Sequence, residues 1–256
     1  MITLSSDFGS PYPAAMKGVL LANADSDPRL VDIAHDFPRQ NVRAGAFWLR
    51  EVLPYFPSAV HLVVIDPGVG TDRAALAVRA GDHALVGPDN GVLVPVARRL
   101  AGGDDIEAFE IEDDDAESST FHGRDVFAPA AAAVHEAGID RLETLDRCSP
   151  ADGIVDFEFP EPALAEDTAM GEILVVDGFG NAITNIPGSV LDDRFGETVE
   201  LNGESVPVER SYAHVETGEQ LVTVGSHGNV ELAVNQGRGE RAFGIAVGDS
   251  VRLSRN

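Results

Sequence analysis

The sequence predicts two domains: an α/β N-terminal domain, with a central, mostly parallel sheet flanked by helices, and a smaller all-β barrel at the C-terminus. Three observations carry this reading. Strand-like and helix-like stretches alternate through residues 1–150, the pattern of layered α/β proteins. Residues 151–169 turn to proline and acid without periodicity, as a linker does. From 170 to 256, short apolar runs are separated by glycine turns and no convincing helix remains, which suits a small antiparallel barrel.

Taken in order, residues 2–4 read as a strand, 14–22 as a helix, 30–33 as a strand and 41–53 as an amphipathic helix. The stretch "LVVIDPGVGTDR", residues 62–73, opens as a short apolar run, the signature of a central parallel strand. It ends on a carboxylate, Asp66, at the position where open α/β sheets keep their ligands. Strands at 74–78 and 83–86, a helix at 92–100 and a helix at 126–137 follow, the last with Asp125 as its N-cap. Beyond the linker, strands fall at 173–176, 198–201, 206–209, 220–224, 230–234 and 250–253.

A chain of 256 residues buries a sizeable core. Forty-three acids against eighteen bases give a net charge of -25, which repels nucleic acid and anionic membranes. Lys17 is the only lysine, and the acids are dispersed along the chain, with one run at Glu112-Asp113-Asp114-Asp115. Concentrated salt screens such self-repulsion, so the composition points to a halophilic source. Neither a basic leader nor an apolar stretch of roughly 20 residues is visible, and the expectation is a cytoplasmic protein. The single cysteine, Cys148, excludes an internal disulfide and a cysteine-rich zinc site.

Four polar clusters stand where strands end or helices begin: Ser6-Asp7-Phe8-Gly9, the Asp66 loop through Arg73, Pro88-Asp89-Asn90-Gly91, and Phe121-His122-Gly123-Arg124-Asp125. Each alone is also a turn or a cap. In the second half, "VDGFGNAITN" carries Asp177, Phe179, Asn181 and Asn185, and "VGSHGNVELAV" carries Ser226 and His227. Asparagine offers a donor and an acceptor together, as the edge of an adenine requires, so these are elements of a nucleoside pocket. The glycines of "NQGRGERAFG" lie outside any βαβ unit and do not make a dinucleotide fingerprint. On the residues alone, a nucleoside-binding protein without turnover stays open, as does a metal-dependent hydrolase using Asp7, Asp66, Asp89 and His122, although that set is a weak one.

Seven segments in order, "SSDFG", "AAMKGVL", "VVIDPGVGTDR", "GPDNGVL", "FHGRDVFAP", "VDGFGNAITN" and "GSHGNVELAV", resemble the S-adenosyl-L-methionine (SAM) hydrolase family. Its members are also called hydroxide adenosyltransferases and are related to the fluorinating and chlorinating enzymes. The resemblance implies an N-terminal α/β domain, a C-terminal β-barrel and a homotrimer with the substrate between subunits. It places Asp66, Arg73 and His122 on the set that holds the attacking water near the ribose C5′ carbon. Asp7 falls on the group that grips the ribose hydroxyls, Asp177 and Ser226 on the methionine end, and Asn181 on an adenine contact. Tyr212 falls on the aromatic face over the base, and Phe179 and His227 join the substrate-binding set, His227 standing where some relatives have arginine. The substrate is a small molecule, SAM itself, and neither cofactor nor metal is implied.

The chemistry is consistent with those residue types. A sulfonium is a cation that leaves as a neutral thioether, so displacement at C5′ needs an aligned nucleophile more than an acid. Aspartates 7, 66 and 177 suit a cationic substrate. A guanidinium beside Asp66 weakens it as a base, which favours positioning of water or hydroxide over full proton abstraction. The halogenating relatives carry an aromatic residue in place of Asp66 and a hydroxyl residue in place of Val69. A carboxylate there repels a halide, so water is the expected nucleophile. A chlorinase-like halide adenosyltransferase and a non-catalytic SAM- or adenosine-binding protein are the alternatives.

Overall fold

The computed structural model describes residues 1–112 and 120–255. The chain divides into two compact units, Met1–Glu158 and Phe159–Asn256, and is a two-domain mixed α/β protein. Residues 113–115 of the acidic run lie outside the described residues.

The first unit is built on a seven-stranded sheet. Its strands are β1 (Ile2–Ser6), β2 (Leu30–Ala34), β3 (Val60–Val64), β4 (Ala75–Ala80), β5 (His83–Pro88), β6 (Ile106–Ile111) and β7 (Cys148–Pro150), in spatial order β2-β1-β3-β5-β4-β6-β7. β1 pairs in parallel with both β2 and β3, and β3 with β5. β4 runs antiparallel to β5 and β6, and β7 antiparallel to β6. The sheet is therefore mixed where a mostly parallel one was expected. Between β4 and β5 only Gly81 and Asp82 intervene, with Gly81 at φ 56°; a connection that short makes a hairpin, since a parallel crossover takes a dozen residues or more.

β3 is buried along its whole length, as its unbroken apolar run predicts. The helices α1 (Tyr12–Asn23), α2 (Val42–Val52), α3 (Val94–Ala101) and α4 (Ala128–Ala137) cover the sheet. Met16 and Leu20 of α1 and Ala131 and Val134 of α4 join Leu4, Leu62 and Val64 in one core cluster. Alternate residues of the same strand point to the opposite face. There α2 approaches so closely that a Cβ at Gly45 would run into the Ile65 side chain. Each helix start follows from its sequence. Asn41 caps α2 by accepting the Ala44 N–H at 2.9 Å, and α1, α3 and α4 carry proline in their first turn. Asp125 is not the N-cap of α4: residues Gly123–Phe127 form a π-helical turn ahead of it, and Asp125 instead accepts from Arg124 Nη2 at 2.8 Å.

The chain visits β1, then β2 on one side of it, then β3 on the other. The strand order thus reverses between β1 and β3, and the crevice outside the carboxyl ends of strands at such a switch point is where open α/β sheets bind ligands. Asp7 follows β1 and Asp66 lies two residues after β3.

The second unit contains β8 (Ala163–Leu164), β9 (Thr168–Val176), β10 (Ala182–Pro187), β11 (Thr198–Leu201), β12 (Glu204–Pro207), β13 (Gln220–Val224), β14 (Asn229–Val234) and β15 (Ser250–Arg255). The order β12-β11-β15-β9-β10-β14-β13 is antiparallel throughout, with β8 on β9. A bridge between Val208 and Val222 brings the two ends together, so the sheet is nearly closed and barrel-like around Ile173, Ile186, Val206 and Leu232. One α-helical turn, α5 (Gly239–Ala242), and two 3-10 turns, Gly188–Leu191 and Tyr212–His214, interrupt the expected all-β character; at three or four residues each is too short to leave a periodicity in the sequence. β8 and the first residues of β9 fall inside the stretch read as linker. Among the described residues no helix is long and apolar enough to cross a membrane.

Candidate active site

At the switch point of the first unit lies a cavity of about 570 Å³ lined by Asp7, Phe8, Tyr12, Gln40, Asp66, Val69 and His122 among others. Phe8, Tyr12 and Phe121 form one wall, their rings meeting edge to face at 5.6 to 6.1 Å. Asp66, Arg73 and His122 come together here from sites up to 56 residues apart in sequence. Arg73 donates from Nη2 to Asp66 Oδ2 at 2.6 Å and from Nε to Oδ1 at 3.1 Å, a forked pair. The Gly68 N–H adds a further donor to Oδ1 at 3.1 Å. The two side chains are only 9% and 5% exposed. The guanidinium lies over the Phe127 ring at 4.9 Å, which fixes its plane.

The third contact settles a tautomer. Arg73 Nη2 also stands 2.8 Å from His122 Nδ1. A guanidinium has no acceptor, so Nδ1 must accept, and the ring is neutral with its proton on Nε2. His122 is buried and lines the cavity. The glycine beside it has a packing reason as well: a Cβ at Gly123 would sit 3.0 Å from Met16 Sδ and 3.1 Å from Val64.

Asp7, also buried, lines the same cavity. One of its oxygens, Oδ2, accepts the Gln40 N–H at 2.5 Å. Gln40 holds the left-handed backbone region at φ 57°, rare for a residue with a side chain, and that conformation serves the bond to Asp7. Behind Asp7, Ser6 Oγ meets His35 Nδ1 at 2.7 Å, and His35 Nε2 meets Asp32 at 3.0 Å. Sequence reading missed Gln40 and this relay, because neither carries a local motif. Asp89 and Asn90 serve the fold: Asp89 accepts the Val155 N–H at 2.7 Å, and Asn90 donates to the Ile65 carbonyl at 2.9 Å. Among the described residues no three histidine, cysteine, aspartate or glutamate side chains converge as a metal-ligand group.

The second unit gathers most of the remaining candidates into one polar cluster. Asp177, after β9, accepts through Oδ1 from the backbone N–H groups of Phe179 and Asn181, both at 2.9 Å. Its Oδ2 accepts from Asn181 Nδ2 at 3.0 Å. Tyr212, 40% exposed, receives a long contact from the same Nδ2 at 3.4 Å. Tyr212 in turn donates to Glu231 Oε1 at 2.6 Å, and His227 Nε2 lies 3.7 Å from Glu231 Oε2. Burial first, and then the Asp177 charge, push the Glu231 carboxyl above its usual range against the pull of the Tyr212 bond. Burial and the neighbouring carboxylates raise the Tyr212 phenol likewise. Phe179 projects into solvent at 81% exposure, and Ser226 lies exposed in the β13–β14 turn. Asn185 stands apart from the cluster, donating to the Pro160 carbonyl at 2.7 Å. Glu231 was not singled out from sequence. The available signal was a carboxylate inside the otherwise apolar run "VELAV".

Fold and site define a class: an α/β unit with a carboxylate-lined cavity at its switch point, accompanied by a nearly closed antiparallel unit with a partly buried polar cluster. Residues 2–145 match the SAM hydroxide adenosyltransferase N-terminal domain, and residues 171–252 match the C-terminal domain of the same name. The chain belongs to that family. A protein of Thermus thermophilus named (R)-S-adenosyl-L-methionine hydrolase is 40% identical, over 97% of this chain and 97% of the relative. One of the same name from Salinispora tropica is 38% identical, over 99% and 97%. A crystal structure titled as an uncharacterized conserved protein from Thermotoga maritima superposes with a TM-score of 0.84, at 31% identity and full coverage of both chains.

Proposed function

We propose that this protein hydrolyses SAM to adenosine and L-methionine, by displacement at ribose C5′ with water or hydroxide held by Asp66, Arg73 and His122. The observation that carries the reading is the buried Asp66–Arg73–His122 constellation on the cavity at the β1/β3 switch point, in a chain whose relatives bear the name of that activity. Water forms the new O–C5′ bond, the C5′–S bond breaks with its electrons to sulfur, and methionine leaves as a neutral thioether. One proton is released. Asp66 already accepts from Arg73 through both oxygens and from Gly68, so it serves as an oriented acceptor that aims a water lone pair at carbon. His122, neutral with Nε2–H, supplies a donor that stabilises developing hydroxide character.

Asp7 receives the ribose hydroxyls, with its Oδ1 free of the Gln40 bond. Asp177 and Ser226 take the methionine end, with His227 beside them. Asn181 meets the adenine edge, and Tyr212 and Phe179 supply aromatic surface. The assembly in this reading is a homotrimer whose sites draw on neighbouring subunits, without cofactor, in a salt-loaded cytoplasm. The test is incubation of the purified protein with SAM in concentrated potassium chloride, with products separated by chromatography. Equimolar adenosine and methionine are expected. 5′-Chloroadenosine would transfer the reading to the halide adenosyltransferases, and intact SAM bound to folded protein would transfer it to a binding protein.

A further inference from the structure

Glu231 belongs to none of the roles assigned above, yet the polar cluster of the second unit ends on it. It is 3% exposed, on β14 between Val230 and Leu232, and so inaccessible to any ligand. Its neighbourhood is built around it: a Cβ at Gly225 would lie 2.6 Å from Glu231 Oε2 and 2.5 Å from the His227 ring, so the glycine makes room for this pair.

The direction of each hydrogen bond follows from Glu231 outward. The Tyr212 hydroxyl has one hydrogen, and it goes to Glu231. The phenol oxygen is then left as an acceptor, facing Asn181 Nδ2. The amide nitrogen of Asn181 must also face the Asp177 carboxylate, since the flipped amide would set oxygen against oxygen. Both amide hydrogens therefore point inward, and the carbonyl oxygen is turned the other way. Without an acceptor at Glu231 the Tyr212 hydroxyl is free to rotate, and the constraint on Asn181 weakens with it.

We propose that Glu231 is a positioning residue: without touching the ligand, it locks Tyr212, and through it Asn181, in the orientation that meets the adenosyl group. This rests on the substrate reading given above. The raised range of the Tyr212 phenol accords with it, since the phenol keeps the proton that it donates.

The test is a comparison of Glu231→Met, Glu231→Gln and Tyr212→Phe. Glu231→Met is expected to raise KM for SAM about tenfold, the scale of one oriented hydrogen bond, with kcat within about threefold and Tm unchanged or higher. Glu231→Gln keeps an acceptor oxygen for Tyr212 and returns KM to within about threefold of wild type. Tyr212→Phe raises KM as Glu231→Met does, and the double variant Tyr212→Phe/Glu231→Met is no worse than either single one. A folded Glu231→Met protein with unaltered KM overturns the proposal, and so does a glutamine variant no better than methionine. Should Glu231→Met not fold, the other two decide: Tyr212→Phe must impair binding and Glu231→Gln must not. Calorimetric Kd values for adenosine give the same ratios without turnover. A wild-type protein that binds adenosine but releases no products thus overturns the hydrolase reading while the ratios still judge Glu231; one that binds nothing overturns both.

Discussion

The two units bury their functional carboxylates in opposite ways. In the first, Asp66 is enclosed with a cation: Arg73 forks onto it, Gly68 adds a donor, and the neutral His122 accepts the second Nη2 hydrogen. In the second, Asp177 and Glu231 share a cluster with an asparagine, a tyrosine and a histidine. Among the described residues neither carboxylate accepts from a lysine or arginine side chain, and burial moves the Glu231 carboxyl up. A carboxylate held in a fixed fork with a cation is oriented to place a nucleophile. In the second unit the carboxyl oxygens act as acceptors that fix a hydroxyl and an amide. The chemistry proposed for each unit follows that division.

The largest expected effect breaks the first arrangement. Asp66→Ala removes the water's acceptor and leaves Arg73 buried without its partner. Turnover should fall by about 10³-fold, within the range for loss of a positioned polar catalyst, and stability by about 3 kcal/mol, as for a broken buried pair. Asp66→Ala/Arg73→Met should regain most of the stability and none of the activity. Rates from product chromatography and unfolding by denaturant separate the two losses; recovery of activity in the double variant would show that Asp66 serves only to hold Arg73.

A second contrast is in pH. His61, on β3 five residues before Asp66, is fully buried between Thr3 Oγ1 at 2.7 Å and His83 Nδ1 at 2.9 Å. Burial, with a smaller contribution from His83, lowers it to about 3. The unfolded chain takes up that proton near pH 6.5 and the folded one does not, so stability is full above pH 6.5 and declines as pH falls toward about 3. From pH 7 to 5 the loss is about 2 kcal/mol at most. Glu231 has the reverse sign. Its raised carboxyl contributes stability below the unfolded value of 4.5, lost as pH rises through the folded value. Glu231→Gln, which cannot ionise, should therefore gain Tm relative to wild type as pH is raised above 4.5. Hydrogen exchange across a pH series reads both units in one experiment: β3 amides should lose protection as pH falls, and β14 amides as pH rises. Parallel changes in the two would end the contrast.

Much of the first unit was legible. The unbroken apolar run before Asp66 identified a central strand, and Asp66 stands at its carboxyl end. The direction of β4 was legible in principle, because a glycine turn between two strands leaves no length for a crossover. The π-turn was not, since Asp125 before an alanine-rich helix is indistinguishable in sequence from a cap. Bringing Arg73 and His122 to Asp66 required the resemblance, because no local pattern relates residues so far apart. Glu231 escaped for a physical reason. In a half-buried strand the residue between two core positions faces solvent, and an acid there looks ordinary. Here both faces of β14 are buried, and only the tertiary structure reveals that Glu231 has nowhere wet to point.

The smallest effect is expected at the surface behind Asp7. Lys17, the only lysine, donates to Asp32 at 2.5 Å, and Asp32 holds His35, whose Nδ1 meets Ser6. The ion pair is partly exposed, with side chains 33% and 44% accessible, so screening leaves it about 0.5 kcal/mol or less. Lys17→Met should lower Tm by no more than about 2 °C at low salt and by nothing measurable at molar potassium chloride, where the Debye length falls to about 3 Å. Turnover should stay within about twofold, because the His35–Ser6 bond does not depend on the lysine. A large, salt-insensitive loss of activity would instead make this relay part of how Asp7 is held, and would extend to the first unit the outward chain of orientation argued for the second.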